Sequence, residues 1–531
     1  MIEHRTEQPT PRKEQTSHWL WLGPLLYMVV VGLYLVGRYA GQWAESDSAA
    51  FTNLIRDFAR EGRLVPVQGE VYPNGYAYQA ISTFIIALTG LDAATLQQLI
   101  YPLVASLVVL PAWVLYRELT GSASGATLTT ILLFTQPEFL FVILRSSHEK
   151  FTRALMLLCL FLLIRSLKLS NRPKLLYTYM ALFYLAAFAF IASNNLLAHS
   201  FILAIATSLA IGWLLAKRNA ALARQSGYIL RRLLFVTLIC LGMVYIFTFY
   251  LYPPAQHDLL VLQSLWDRVA ALLLNFQAQA TNPYAQISAA WAQPVAPVYF
   301  IVSAADWIIL VASLVIWIWQ GVQWLWRGKT PPLVDWLLWL FYAAFAVQGA
   351  LSAVADMTGV LSANLQHRLF PSFSIIAVAL VGVALARWHP GRFARPIQLG
   401  LSVGIFCIAV LSVSKAINEP VLSNKWTFYH SDELAALDWS DRHLKSAEIW
   451  TEFDERLAVA FLTQKGNLIN NNLFVYGPLQ SSTRDIILTM ITRLRSGRLY
   501  LPLPVPTDAL QVYDNGESVM YHLRPQTPYQ R

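Results

Sequence analysis

The sequence is poor in charged residues: Asp, Glu, Lys and Arg make up 13% of its 531 residues, whereas hydrophobic residues make up 56%. Such a composition cannot cover the surfaces of several water-soluble domains, so that class of protein is excluded. The apolar residues instead form repeated runs of about 20 residues, the length of a helix that crosses a bilayer. The sequence therefore predicts an α-helical polytopic membrane protein.

Cysteine is scarce as well. Cys159, Cys240 and Cys407 lie in three separate apolar runs, which is typical of small core residues and implies no disulfide framework. The sequence contains no Asn-x-Ser/Thr acceptor for N-glycosylation, which favours a prokaryotic origin. No small-residue cleavage site follows the first apolar run, so we expect that run to be retained rather than removed as a signal peptide.

Eleven apolar runs are candidate transmembrane helices. They cover residues 19–38, 96–115, 126–143, 153–168, 175–192, 196–215, 233–252, 298–319, 333–352, 369–386 and 396–415. A twelfth run, residues 76–90, is only about 15 residues long, which is short of the roughly 20 that a crossing needs. We interpret it as a re-entrant or interfacial helix in the first external loop.

The basic residues set the predicted orientation. If residues 1–18 are cytoplasmic and 76–90 does not cross, the cytoplasmic segments carry 18 Lys and Arg and the external loops carry 9. This bias agrees with the positive-inside rule, and it also explains the net charge of +9 without a nucleic-acid partner. The sequence thus predicts a cytoplasmic N-terminus and an extracytoplasmic C-terminal segment.

Three regions follow from this topology. Residues 1–18 form a cytoplasmic tail, residues 19–415 a transmembrane module, and residues 416–531 a small extracytoplasmic domain whose polar composition indicates an α/β fold. The module has a long first external loop, 39–95, in which we expect an interfacial helix directly after Asp47. A second long external loop, 253–297, contains an apolar segment that we interpret as a membrane-lying or re-entrant helix.

Acidic residues stand at two external span ends. Glu45 and Asp47 follow the first apolar run, and Glu149 follows the third, next to His148. Carboxylates that converge there could bind a divalent cation such as Mg²⁺ or Mn²⁺, or take a proton from an acceptor hydroxyl. The alternative is that they are solvated or helix-capping residues, and that His148 is an ordinary loop residue.

Basic residues are expected at the same face. They are Arg145, Lys150 and Arg153 in the short loop "RSSHEKFTR", and Arg368 at the start of the tenth span. Guanidinium groups bind phosphate in a bidentate manner, although long basic side chains also serve as plain interfacial anchors. Acid, base and phosphate-binding groups together favour transfer from a lipid-phosphate donor whose tail remains in the bilayer.

The order of these features resembles the GT-C superfamily of polytopic glycosyltransferases. The resemblance lies in "ESD" at Glu45–Asp47, "YPNGYAYQAISTFIIALTGL", the segment ending in "RSSHEKF", and the late "RLFPSFSIIAVAL". Residues 40–170 look most like the catalytic subunit of oligosaccharyltransferase. The resemblance implies that Asp47 and Glu149 are catalytic acids able to ligate a metal, and that Arg368 contacts the donor phosphate, with Glu45, His148, Lys150 and Arg153 as further substrate-binding residues.

One departure narrows the expected activity. The oligosaccharyltransferase motif Trp-Trp-Asp-Tyr-Gly is absent, so the chain is more similar to generic members such as protein mannosyltransferases and aminoarabinose transferases. The resemblance thus implies a cell-envelope glycosyltransferase that moves a sugar from a polyprenyl-phosphate carrier to a lipid, glycan or protein acceptor. The alternatives are a transporter or flippase, or a polymerase or ligase, of lipid-linked saccharides.

Overall fold

The structure of the chain is a computed structural model. It describes residues 19–39, 46–63, 65, 71–145, 147–169, 171–218, 220–275, 297–358, 365–388, 394–418, 431–451, 470–476, 484–492 and 507–523. Glu45 therefore lies outside the described residues. For Asp47 the structure describes the backbone, which belongs to a helix.

Helices dominate the described part of the chain, which confirms the predicted helical polytopic fold. They are α1 (Leu22–Tyr39), α2 (Ser46–Glu61), α3 (Ala77–Thr89), α4 (Ala93–Thr120), α5 (Ala123–Leu133), α6 (Pro137–Leu144), α7 (Glu149–Lys168), α8 (Pro173–Ser193), α9 (Asn195–Arg218), α10 (Ala220–Ile246), α11 (His257–Asn275), α12 (Pro297–Gly321), α13 (Leu333–Met357), α14 (Leu365–Arg387), α15 (Ala394–Asn418) and α16 (Ser431–His443). Single π-helical turns extend α10 to Leu251 and α12 to Trp326.

Eight helices in the described residues are long and apolar enough to cross a membrane, and a bent pair would make a ninth. The two other predicted spans coincide with α1, whose apolar part is short, and with α7, a 20-residue helix that carries five charged residues. The count of eleven spans therefore remains a prediction. Helix α3 has only 13 residues, which is too short for a conventional crossing.

The predicted span 126–143 is wrong as a single helix, because α5 and α6 meet at an angle of 81°. Pro137 cannot continue the hydrogen-bond ladder of α5, and Gln136 before it has an extended backbone. Polar side chains occupy the break: Gln136 donates to Asp306 Oδ1 at 2.9 Å, and Ser412 Oγ donates to the carbonyl of Thr135 at 2.7 Å. The bend leads α6 towards the loop at 145–148.

The core of the bundle is formed by α4, α5, α7, α13 and α14, whereas α12 and α15 expose most of their apolar surface. Close approach of α5 and α14 depends on Gly382, because a Cβ there would lie 2.2 Å from Thr129 Oγ1. Helix α11 exposes large apolar side chains, among them Leu260, Trp266 and Leu274. This exposure suits the membrane-lying position expected for its loop.

The C-terminal region contains the predicted α/β elements. Strands β1 (Glu448–Thr451), β2 (Leu473–Tyr476), β3 (Ile487–Thr492), β4 (Leu510–Asp514) and β5 (Ser518–Leu523) form one sheet in the order β2-β1-β3-β5-β4. β1 is parallel to β2 and β3, while β4 and β5 form an antiparallel hairpin that turns at Asn515-Gly516, as its sequence predicts. Helix α16 packs beside β5. The domain boundaries themselves remain a prediction.

Candidate active site

Three aromatic rings join the segment between α1 and α3 to the loop before α7. Phe51 on α2, Tyr72 and His148 contact one another, with centroid separations of 5.0 Å for Phe51–Tyr72, 5.2 Å for Phe51–His148 and 5.1 Å for Tyr72–His148. Helix α2 begins at Ser46, so Asp47 lies in its first turn rather than before it, one turn from Phe51. Asp47 is therefore one helical turn from a ring that contacts His148, the residue before Glu149.

Residues 71–76, here called the strap, support this aromatic cluster. The Tyr76 amide donates to the carbonyl of Ala192 at 2.9 Å, and the Asn195 amide donates to the carbonyl of Asn74 at 2.6 Å. The Tyr252 hydroxyl donates to the carbonyl of Tyr72 at 2.7 Å. The strap is therefore fixed to the α8–α9 junction and to the end of α10, which places Tyr72 against His148.

The hydrogen bonds of Asn194 determine the tautomer of His148. Asn194 Oδ1 accepts the Leu197 amide at 2.9 Å, so its Nδ2 is the atom that lies 2.5 Å from His148 Nε2. An amide nitrogen only donates, and Nε2 must therefore accept, which assigns the imidazole proton to Nδ1. The Tyr72 hydroxyl is also 3.2 Å from Nε2. His148 is thus held as a neutral ring whose Nε2 is occupied.

Glu149, the first residue of α7, forms an ion pair with Arg145 at 3.0 Å, and both side chains are largely buried. Burial alone would raise the pKa of this carboxyl. The nearby charges of Arg145 and Arg153, with a smaller effect from Arg368, outweigh burial and lower the pKa to about 2. Glu149 is therefore a carboxylate at any physiological pH and a poor proton acceptor.

The other two basic residues of the loop point inward. The Lys150 ammonium donates to the carbonyls of Arg145 at 2.7 Å and Ser147 at 3.0 Å. It therefore supplies hydrogen bonds to backbone carbonyls at the end of α6 and in the loop that follows. Arg153 is fully buried; it donates to the Ser372 hydroxyl and, at 3.0 Å, to the backbone carbonyl of Arg368. Of these two predicted substrate-binding residues, Lys150 thus holds the loop and Arg153 links α7 to α14.

Arg368 lies in the first turn of α14 and exposes its side chain beside this cluster. Its charge contributes to the lowered pKa of Glu149, so the Arg368 guanidinium and the Glu149 carboxylate interact electrostatically. The structure therefore brings together Arg145, His148, Glu149, Arg153 and Arg368. Sequence reasoning missed Tyr72, Asn194 and Ser372; the polar pair Asn194-Asn195 between two apolar runs was the available signal.

This cluster does not fit a divalent cation. No group of three or more His, Cys, Asp and Glu side chains is placed to hold a metal in the described part of the chain. The carboxylate of Glu149 already faces guanidinium groups, which would repel a bound cation, and His148 Nε2 is occupied by Asn194. The predicted metal role of Glu149 therefore has no support from its surroundings.

No protein-family model matches the sequence, and no curated protein matches it. Solved structures do match the fold. The Archaeoglobus fulgidus oligosaccharyltransferase in its apo form has a TM-score of 0.53 and 11% identity, over 88% of this chain and 66% of that one. The same enzyme tethered to an acceptor peptide with the NVT sequon also has a TM-score of 0.53, with 10% identity over 87% and 64%.

ArnT from Cupriavidus metallidurans matches with a TM-score of 0.37 and 12% identity, over 94% of this chain and 98% of that chain. Because that score is below 0.5, the fold assignment rests on the two archaeal structures. The chain spans just under two thirds of their length. The chain has the GT-C fold that its sequence resembles.

Proposed function

We propose that the chain is a membrane glycosyltransferase that moves a sugar from a polyprenyl-phosphate-linked donor to an acceptor at the external membrane face. The observation that carries this proposal is the charge of the cluster around Glu149. Three guanidinium groups, those of Arg145, Arg153 and Arg368, surround a single carboxylate that stays ionised. An excess of fixed positive charge at helix ends suits an anionic group held at the lipid boundary.

The donor phosphate is assigned to the exposed side of this cluster. Arg368 is exposed and Arg145 is partly exposed, so these two can contact a phosphate directly. Arg153 is buried, so it would act on the phosphate only at a distance, through its positive charge, and on Arg368 through the hydrogen bond to the Arg368 carbonyl. Glu149 holds Arg145 in place by their ion pair, which leaves the cluster with a net positive charge for the phosphate.

Asp47 is assigned as the general base. An aspartate is ionised near neutral pH, and the ionised carboxylate is the form that accepts a proton. In the proposed step the acceptor atom forms a bond to C1 of the sugar while the bond from C1 to the phosphate oxygen breaks. The acceptor proton passes to Asp47, and the lipid phosphate leaves as an anion next to Arg145 and Arg368.

The acceptor class remains open between a lipid, a glycan and a protein. One archaeal structure of the same fold was solved with a tethered acceptor peptide. This chain lacks the Trp-Trp-Asp-Tyr-Gly motif, so we do not extend that peptide specificity to it. Sugar transfer is the part of the proposal that the charged site supports.

Replacement of Asp47 tests the proposal. Asp47→Asn should reduce transfer by about 10²–10⁴-fold, the usual contribution of general base catalysis, and should leave binding of polyprenyl phosphate unchanged. Asp57→Asn is the matched control, because Asp57 lies on the same helix and pairs with Arg60 near its other end. Turnover of Asp47→Asn within a few-fold of the wild type would exclude Asp47 as the base.

A further inference from the structure

A buried carboxylate links the external ends of α13 and α14. Asp356 lies in the last turn of α13 and is almost completely buried. Its Oδ1 accepts the backbone amide of Leu365 at 2.6 Å, and its Oδ2 accepts that of Gln366 at 2.9 Å. These are the first two residues of α14, so Asp356 caps that helix from a neighbouring helix.

The position of Asp356 is unfavourable for its own helix. An acid in the last turn faces the negative end of the helix dipole, and a buried charge needs compensation. The amides at the start of α14 supply that compensation, because they are donors without partners inside their own helix and carry the positive end of its dipole. The carboxylate therefore stabilises α14 rather than α13.

A second buried anchor holds the same turn. Arg153 on α7 donates to the carbonyl of Arg368 and to the hydroxyl of Ser372, one turn further along α14. Asp356 accepts the amides at the start of the turn, and Arg153 donates to the carbonyl of Arg368, whose own guanidinium is exposed. The backbone of Arg368 is thus held from two sides by charged groups that are themselves buried.

We infer that Asp356 is a positioning residue for the donor-phosphate site: it fixes the first turn of α14 so that Arg368 is presented to the phosphate of the lipid carrier. The inference rests on the proposed function, because it requires Arg368 to contact that phosphate. Asp356 itself does not touch the donor.

The chain provides a matched control at the other end of the same two helices. Asp335 in the first turn of α13 is also buried, and it forms a bidentate ion pair with Arg387 in the last turn of α14, with distances of 2.6 and 2.9 Å. Replacing Asp335 therefore removes a buried carboxylate between α13 and α14 without changing the turn that carries Arg368.

The experiment measures the dissociation constant of polyprenyl phosphate and the thermal midpoint for five variants. They are Asp356→Ala, Asp356→Asn, Asp335→Ala, Arg368→Gln and the double variant Asp356→Ala/Arg368→Gln. Asp356→Ala should weaken binding by about tenfold, as expected for loss of a helix cap, and Asp356→Asn should bind with an affinity between those of Asp356→Ala and the wild type, because its amide keeps one of the two accepting oxygens. Asp335→Ala should lower the thermal midpoint without changing the dissociation constant.

The double variant separates positioning from general stability. If Asp356 acts through Arg368, the double variant should bind no more weakly than Arg368→Gln alone. Additive losses, or an Asp356→Ala protein that loses only thermal stability, would overturn the inference while the proposed function stands. Unchanged binding by Arg368→Gln would overturn the phosphate role of Arg368, and the inference with it.

Discussion

At the scale of single residues, the carboxylate of Glu149 balances the charges of Arg145 and Arg153. Glu149 and Arg145 are only four residues apart, so their closeness in the sequence makes a pairing possible even though Arg145 is the C-cap of α6 and Glu149 begins α7. The contacts of Arg153 with residues 368 and 372, and of His148 with Asn194, join segments far apart in the chain. Such pairs depend on helix packing, which periodicity does not determine. Lys150 and Arg153 were expected to face the substrate, but both side chains point into the protein.

The role of Glu149 as a counter-charge can be tested by Glu149→Gln. The substitution leaves the buried Arg153 and the mostly buried Arg145 near each other without a compensating charge, and should lower the free energy of unfolding by about 3–5 kcal/mol. Because the folded pKa lies below the unfolded value, the wild-type contribution is complete above about pH 4.5 and is lost as the pH falls towards 2. The deficit of the variant should therefore be constant between pH 5 and 9.

Thermal midpoints across that range would measure the deficit. Glu118→Gln is a suitable control, since Glu118 pairs with Arg165 and Lys168 at the other end of α7. That control should affect stability less, because both of its cationic partners are more exposed. Equal midpoints for Glu149→Gln and the wild type at neutral pH would show that Glu149 does not balance the buried arginines.

At the scale of elements, most helices follow from apolar periodicity and length. Helix α2, the short α3 and the C-terminal hairpin all appear near their expected positions. The break between α5 and α6 was missed even though Pro137 stands at it, because proline also occurs in transmembrane helices that continue through it. The partners that stabilise the break, Asp306 and Ser412, come from distant helices.

The strap provides a prediction about an element. Gly75 has a φ of +154°, and a Cβ on it would lie 2.3 Å from the carbonyl oxygen of Ala192. Gly75→Ala should displace the strap and the Tyr72–His148 contact, with a loss of about 1–3 kcal/mol in stability and reduced transfer. Gly349→Ala on α13 should be nearly neutral, because open space surrounds that position. Unchanged stability and transfer in Gly75→Ala would show that the strap does not support the site.

At the scale of the whole molecule, the orientation of the bundle in the membrane is predicted from charge bias alone. The basic loops predict that the α7–α8 connection is cytoplasmic and that α11 is external. Single cysteines at Lys174 and at Gln263, both exposed, test this in a chain whose own exposed Cys407 is replaced by serine. An impermeant maleimide applied to intact cells should label the cysteine at 263 and not the one at 174. The reverse pattern would invert the topology.

The central claim is that a lipid-linked phosphate binds at the arginine cluster beside Glu149. The most direct measurement is a structure of the chain with bound polyprenyl phosphate. We predict phosphate oxygens within hydrogen-bonding distance, about 3 Å, of the guanidinium nitrogens of Arg368 and Arg145, with the lipid tail leaving sideways into the bilayer. A phosphate bound along a path through the interior of the bundle, or at the cytoplasmic end of α7, would contradict the claim.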